Sequence, residues 1–208
     1  MTSASEAHFL WIGLTGGIAT GKSTVSALLQ DQGLAVIDAD KLAHEALQPG
    51  TESFEKIVQT FGQDILALDG TIQRSILASK IFSDEQKKLQ LEGIIHPYVQ
   101  SRVKIQKAEF LQKGHRLIFY DVPLLFEKKL QDQFDLILVV TCQEETQIQR
   151  MKKRNRWSDD EIRQRLANQI PMSEKEQGAD LVIFNDGGLE DLKSSVQRVL
   201  SELRQKLK

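Results

Sequence analysis

The chain has little of what would mark a secreted or membrane-bound protein. Cys142 is the only cysteine, so no disulfide can form within the chain. No apolar run approaches the ~20 residues needed to cross a bilayer. Residues 1–8 also lack the basic region and apolar core of a signal peptide. We therefore expect a cytoplasmic protein without a membrane partner, in which Cys142 is a buried thiol at the end of a strand.

The chain also has a small net charge and no sequence pattern of metal ligands. The 29 acidic residues nearly balance the 27 Lys and Arg, which leaves a net charge of −2 at pH 7. Such a balance does not attract nucleic acid, so we expect no nucleic-acid partner. None of the four histidines lies at metal-ligand spacing from other His, Cys or acidic residues, which argues against a zinc site.

Five short apolar runs predict the strands of a parallel sheet buried on both faces. They are Phe9–Thr15, Ala35–Asp38, Leu117–Asp121, Leu136–Thr141 and Leu181–Asn185. Helical segments separate these runs, including one over 22–32 and an amphipathic one at the end of the chain. The alternation predicts an α/β fold with right-handed crossovers, whose ligands bind beyond the carboxyl ends of the strands.

One connection is too long for a simple crossover helix. The stretch 41–116 is interrupted by Pro49-Gly50, Gly62, Asp69-Gly70 and His96-Pro97. We expect a helical insertion here, over one edge of the active site, with the core formed by 9–40 and 117–208. Within the insertion, Ser83 and Asp84 are expected to cap a helix over 85–95, and Pro97 is expected to end it.

The most informative motif runs from Gly16 to Thr24, with the pattern G-x-x-x-x-G-K-[ST] between a predicted strand and a predicted helix. In such a loop, successive backbone N–H groups converge on a phosphate, here from Gly17, Ile18, Ala19 and Thr20 onward. Lys22, exposed at the loop, is expected to reach the β- and γ-phosphates of ATP, and the Ser23 hydroxyl to ligate Mg²⁺. A chance glycine turn is the alternative, which the strand and helix context disfavours.

Two carboxylates follow predicted strands at the same sheet edge as the loop. Asp38 and Asp40 end the second strand, and Asp40 there can deprotonate an acceptor hydroxyl or merely cap a helix beginning at Lys41. Asp121 ends the third strand, where it can hold Mg²⁺ or make only turn hydrogen bonds. We favour the functional interpretation of both Asp40 and Asp121.

Two further segments are candidates for substrate contacts. Leu124, Leu125 and Phe126 form an apolar patch expected to line an acceptor pocket. Arg150 and Arg154 are four residues apart on one predicted helix face, where they can close onto nucleotide phosphates as part of a lid over about 144–170. A solvated basic helix end is the alternative, and it is favoured for the neighbouring Lys152, Lys153 and Arg156.

Motifs of other nucleotide-binding classes are absent. A switch GTPase needs Asp-x-x-Gly and Asn-Lys-x-Asp, and an ATP-driven transporter subunit needs Ser-Gly-Gly; the chain contains none of these. A nucleoside monophosphate kinase or a sugar kinase stays open, because such enzymes share the phosphate-loop core.

The order of the motifs resembles the dephospho-coenzyme A kinase family from about Ile12 to Asn185. The most specific match is 121–127, Asp-Val-Pro-Leu-Leu-Phe-Glu. Other matching positions are 36–40, Phe61-Gly62, Asp69-Gly70, Arg74, the Leu-Glu and His-Pro pairs within 91–97, Gln147, Arg150, Arg154, Gln169, Ala179-Asp180 and Asn185. Members often carry Gly-Ser where this chain has Ala19-Thr20, a change expected to matter little because backbone N–H groups bind the phosphate.

The resemblance implies a P-loop kinase that transfers the γ-phosphate of ATP, with Mg²⁺, to the ribose 3′-hydroxyl of dephospho-coenzyme A. By position it implies that Asp40 is the base and that Gly21, Lys22, Ser23 and Thr24 contact ATP. It also implies that Arg74, His96 and the 124–126 patch border the acceptor site, beneath a mobile lid that carries Arg154.

Overall fold

The computed structural model describes residues 8–82, 84–155 and 157–207. The expected cap at Ser83 and the basic residue Arg156 lie outside these described residues. The chain divides into two units, of which the first comprises the described residues up to Ile37 and from Phe110 onward. The second unit is Asp38–Glu109.

A five-stranded sheet organises the first unit. Its strands are β1 (Leu10–Gly16), β2 (Ala35–Asp38), β3 (Leu117–Asp121), β4 (Leu136–Thr141) and β5 (Leu181–Phe184), in the order β2-β3-β1-β4-β5. The pairs β1–β3, β1–β4 and β4–β5 are parallel. The predicted α/β fold and its five strands are therefore confirmed, with β1 displaced by one residue and β5 one residue shorter.

Nine α-helices are described. They are α1 (Lys22–Asp31), α2 (Ala39–Glu45), α3 (Glu52–Phe61), α4 (Arg74–Phe82), α5 (Glu85–Gln112), α6 (Glu144–Asn155), α7 (Asp159–Ala167), α8 (Met172–Gln177) and α9 (Leu189–Lys206). Among the described residues, no helix is both long enough and apolar enough to cross a membrane.

The main core lies between one face of the sheet and helices α1 and α9. Alternate β1 residues Leu10, Ile12 and Leu14 pack with apolar residues of α1 and with the buried stripe of α9. That stripe consists of Leu192, Val196, Val199, Leu200 and Leu203. Spacings of three and four residues place these side chains on one side of the helix, as the sequence predicts. This packing fixes β1 and α1, the two elements that flank the glycine-rich loop.

The second unit has a core of its own. Ile57 and Phe61 of α3 pack with Ile65, Leu77 and Leu91, so α3, α4 and the first part of α5 share one apolar cluster. Thr51 is the N-cap of helix α3, and its hydroxyl accepts a hydrogen bond from the N–H of Phe54 at 3.1 Å.

The expected end of a helix at Pro97 is wrong. Helix α5 runs from Glu85 to Gln112 with Pro97 inside it. Proline removes one backbone donor, which is a local loss. Good helix-forming residues continue beyond it, and Leu91, Ile94 and Ile95 pack into the core on its N-terminal side, so the helix persists.

The alternative in which Asp40 caps a helix beginning at Lys41 does not hold. The helix begins at Ala39, and Asp38 is its N-cap: the Asp38 carboxylate accepts a hydrogen bond from the N–H of Lys41 at 3.0 Å. Asp40 instead lies exposed in the first turn. The capping alternative for Asp40 is thereby removed, because Asp38 already fills that position.

Candidate active site

The glycine-rich loop connects the end of β1 at Gly16 to the start of α1 at Lys22. The first N–H groups of α1 have no acceptor within the helix, and the helix dipole adds partial positive charge there. Gly21, the residue before the helix, has a left-handed φ of 97°. A Cβ at Gly21 would also collide with the side-chain amide of Asn185, so glycine is required at this position.

Ala19 departs from ordinary backbone geometry, with a left-handed φ of 60°. Glycine adopts this conformation without strain, whereas an L-residue with a Cβ is penalised. Ala19 stands where members of the family often carry glycine. The difference adds backbone strain to the loop, and the expectation that it matters little for phosphate binding stays a prediction.

Lys22 and Asp121 form an ion pair at the centre of the site. The Lys22 side chain is 17% exposed and that of Asp121 4% exposed, so Lys22 is not the exposed side chain that the motif predicts. Asp121 ends β3, and the next residue, Val122, donates its N–H to the carbonyl of Leu14 in β1 at 2.9 Å. Adjacent parallel strands therefore bring Asp121 beside the loop, and its charge holds the lysine there.

Ile18 is fixed by two amide side chains from outside the loop. The Ile18 N–H donates to Oε1 of Gln169 at 3.0 Å, and the Ile18 carbonyl accepts from Nε2 of Gln147 at 2.7 Å. The expected contact between the Ile18 N–H and ATP is therefore not available in this structure. Gln147 and Gln169 follow the family pattern, but the sequence assigns them no role.

Arg150 and Asn185 fix the next part of the loop. Nη2 of Arg150 donates to the Asn185 carbonyl at 2.8 Å, and Nη1 donates to the carbonyls of Ala19 and Thr20 at 3.4 and 3.3 Å. The Asn185 side-chain amide also donates to the Thr20 carbonyl at 2.8 Å. Arg150 is therefore a support of the loop, where the sequence predicts a residue of a closing lid.

Arg154 differs from Arg150 although it lies one helical turn further along α6. Its side chain is exposed, as are those of Lys152 and Lys153. Lys152 pairs with Asp159 of α7 at 2.5 Å. Within the expected lid over 144–170, buried Gln147, half-buried Arg150 and half-buried Gln169 therefore hold the loop, and the residues from Lys152 to Arg154 between them are exposed.

The expected apolar patch at 124–126 is mostly core. Leu125 is fully buried near Gly13, where a Cβ would lie 2.6 Å from Cδ1 of Leu125. Phe126 is buried in the same way against Gly178 at the end of α8. Of the three, only Leu124 is exposed. Leu125 and Phe126 are therefore not free to line an acceptor pocket.

The other expected acceptor residues lie in the second unit. Asp40 is in the first turn of α2, Arg74 is the first residue of α4, and His96 lies within α5. All three side chains are exposed. Exposure leaves each of them accessible to a ligand.

Among the described residues, no group of three or more His, Cys, Asp or Glu is arranged to hold a metal. The oxygen donors near the loop nevertheless fit Mg²⁺, which uses one or two protein ligands together with phosphates and water. Ser23 is exposed in the first turn of α1, and Asp121 offers a carboxylate beside Lys22.

Cys142 follows β4 and is buried, as expected. Burial raises the pKa of its thiol to about 11, with a smaller opposing effect from Arg150. A thiol with this pKa is almost entirely protonated at neutral pH, which excludes a nucleophilic role.

Comparisons with known proteins agree with this geometry. The family model for dephospho-CoA kinase matches residues 10–191. A dephospho-CoA kinase of Bdellovibrio bacteriovorus is 43% identical over 195 residues, which cover 94% of this chain and 96% of the relative.

Solved structures give the same result. Protein TT1252 from Thermus thermophilus is 34% identical with a TM-score of 0.76, and the match covers 94% of this chain and 98% of that one. A dephospho-CoA kinase from Campylobacter jejuni is 27% identical with a TM-score of 0.72, over 95% of this chain and 98% of that one. These matches favour this family over the nucleoside monophosphate kinases. The chain belongs to the dephospho-CoA kinase family.

Proposed function

We propose that the chain transfers the γ-phosphate of ATP to the ribose 3′-hydroxyl of dephospho-coenzyme A, giving coenzyme A and ADP. The observation that carries this proposal is the glycine-rich loop, ordered by four side chains, with Lys22 held by the buried Asp121. Such a loop binds the phosphates of a nucleotide, and family membership supplies the acceptor.

Lys22 neutralises charge on the transferring phosphoryl group. In the structure its ammonium is paired with Asp121, so it is already oriented toward the end of β3. Charge that is positioned before the reaction stabilises the transition state without further reorganisation. The residues Gly17, Ala19, Thr20 and Gly21, together with Lys22, Ser23 and Thr24, complete the proposed ATP site.

Mg²⁺ is the proposed cofactor, held by the Ser23 hydroxyl and the Asp121 carboxylate together with ATP. When bound, it supplies positive charge to the phosphate oxygens. Because Asp121 also pairs with Lys22, this carboxylate is proposed to serve two cations at once.

Asp40 is the proposed general base for the acceptor hydroxyl. It follows β2 after one residue, while Asp38 performs the capping of α2, so the Asp40 carboxylate is not committed to the helix cap. Arg74, His96 and Leu124 are each proposed to contact the acceptor. Remote contacts of this kind position one hydroxyl of a long substrate for in-line attack.

The mobile lid is proposed to lie within 144–170, in the part between the loop supports Arg150 and Gln169. Arg154 belongs to that part and is proposed to reach the transferring phosphate upon closure. We also propose that the protein acts in the cytoplasm and binds no nucleic acid, in keeping with its near-neutral charge.

The proposal is tested by Lys22→Ala, measured with ATP, Mg²⁺ and dephospho-coenzyme A in a coupled ADP-release assay. We expect turnover to fall by at least ~10²-fold, the scale for losing one preorganised charge. Asp121→Asn/Lys22→Ala serves as the control for folding, because it removes the unpaired buried carboxylate that Lys22→Ala leaves behind. Turnover within a few-fold of wild type in Lys22→Ala would contradict the assignment.

A further inference from the structure

A largely buried ion pair lies close in sequence and in space to the residues that support the phosphate loop. The side chain of Lys175 in α8 is 0% exposed and that of Glu127, in the segment after β3, is 16% exposed; Nζ of Lys175 lies 2.7 Å from Oε1 of Glu127. The same oxygen of Glu127 accepts a hydrogen bond from the backbone N–H of Ile170 at 3.2 Å. The pair therefore ties α8 and the residue before Pro171 to the end of the 121–127 motif.

Hydrogen bonds and one covalent step along the backbone connect this pair to the loop. Ile170 directly follows Gln169, whose side-chain oxygen accepts from the N–H of Ile18 at 3.0 Å. The carbonyl of Ile18 is in turn bonded to Gln147. The N–H of Ile170, which donates to Glu127, therefore belongs to the peptide unit that joins Ile170 to Gln169, and Gln169 is the residue that fixes the loop.

Net stability is a weak explanation for this pair. Taking two charges out of water is costly, and apolar side chains of similar volume often replace a buried ion pair without loss of stability. Oε2 of Glu127 is moreover buried without a hydrogen-bond partner among the described residues. A carboxylate that is only half satisfied adds to that cost. The remaining explanation for the pair is structural: it fixes the position of the Ile170 N–H.

We propose that Glu127 and Lys175 are positioning residues for ATP binding. Their ion pair fixes the N–H of Ile170, so that Gln169 keeps Ile18 and the phosphate loop in the shape that receives ATP. This inference rests on the proposed contact between the loop and the phosphates of ATP. Neither residue is assigned a contact with a reacting atom; both act through Gln169.

The test compares three variants in a double-mutant design. Glu127→Leu/Lys175→Met removes the pair, Gln169→Ala removes its link to the loop, and the third variant combines both changes. The dissociation constant for ATP is measured by titration without acceptor, and the KM of each substrate is measured separately. We expect each of the first two variants to weaken ATP binding about tenfold, the equivalent of one hydrogen bond. The KM for dephospho-coenzyme A should change less than twofold.

The combined variant distinguishes positioning from a general structural effect. If the pair acts through Gln169, the combined variant should bind ATP about as well as Gln169→Ala alone, because the link has already been removed. Losses that multiply to about a hundredfold would overturn the proposal. So would equal increases in the KM values for both substrates.

Two matched variants complete the experiment. Glu127→Gln/Lys175→Met keeps an oxygen for the Ile170 N–H but removes the ion pair that orients it, and should bind ATP more weakly than wild type and more tightly than Glu127→Leu/Lys175→Met. Glu190→Leu/Lys193→Met removes an exposed pair with the same 2.7 Å separation, and should change nothing. If both variants of the buried pair fail to fold, the pair is needed for folding and the positioning proposal is wrong.

Lys22→Ala, measured in parallel, separates this inference from the proposed function. If Lys22→Ala loses ATP binding while the pair-deleted variant does not, only the positioning role of Glu127 and Lys175 fails. If neither variant changes ATP binding, the proposed ATP contact of the loop fails as well.

Discussion

Alanine substitutions at Arg150 and Arg154 test what α6 contributes to the site, because the two residues lie one helical turn apart and can be compared directly. Arg150 donates to three backbone carbonyls, with one bond of 2.8 Å and two longer ones. Hydrogen bonds from a charged group contribute about 1.5–3 kcal/mol. Because two of these bonds are long and the side chain is only half-buried, we take a loss of about 2 kcal/mol for Arg150→Ala.

For a chain of this length, 1 kcal/mol corresponds to a shift in Tm of about 2–4 °C, so Arg150→Ala should lower Tm by about 4–8 °C. Without Arg150 the loop has to become ordered when ATP binds, and this ordering costs binding free energy. We therefore expect the dissociation constant for ATP to rise roughly tenfold. Arg154→Ala should leave Tm unchanged, because that side chain is exposed. It should lower kcat more than it weakens ATP binding in the absence of acceptor.

The assays are thermal unfolding monitored by circular dichroism, ATP titration without acceptor, and steady-state turnover. Arg150→Ala with wild-type Tm and wild-type ATP affinity would refute the argument that its hydrogen bonds hold the loop. For Arg154→Ala, equal losses in ATP binding and in rate would instead indicate a contact already made in the ground state.

Two further predictions concern a strained residue and the proposed base. Ala19→Gly should raise the free energy of unfolding by up to about 1 kcal/mol, because relief of the left-handed strain exceeds the entropy that glycine adds to the unfolded chain; an unchanged or lower Tm would contradict this. Asp40→Asn should reduce kcat by ~10²–10⁴-fold with little change in binding of dephospho-coenzyme A, measured by single-turnover kinetics and titration, and near-normal rates would exclude Asp40 as the base.

Much of the first unit is predictable because local pattern and tertiary packing agree there. The buried strands read as continuous apolar runs, and the glycine-rich motif needs a strand before it and a helix after it. The end of β3 at Asp121 follows from the same reasoning, and the structure places this residue beside Lys22. In these segments the residue types are compatible with few other local structures.

The failures share a physical cause, which is that a local signal was outweighed by a longer-range one. Pro97 breaks one hydrogen bond but not a helix with a packed N-terminal half. Leu125 and Phe126 fill the core instead of a ligand pocket, because Gly13 and Gly178 leave room for them. Spacing along α6 places Arg150 and Arg154 on one face, but it does not reveal that Arg150 donates to the loop carbonyls of Ala19 and Thr20.

The supports of the loop were the hardest feature to find from sequence. Gln147 and Gln169 are remote from Ile18 in the chain, and no sequence motif predicts the partner of a neutral amide side chain. Their partners are backbone atoms, whose position depends on the completed fold.

The central claim is tested most directly by an acceptor panel with the purified protein, ATP and Mg²⁺, in which ADP release is followed with dephospho-coenzyme A, adenosine, AMP and simple sugars. We predict a far higher kcat/KM for dephospho-coenzyme A than for any other acceptor, with coenzyme A as the product. If AMP or a sugar is phosphorylated as efficiently as dephospho-coenzyme A, the proposed function is wrong.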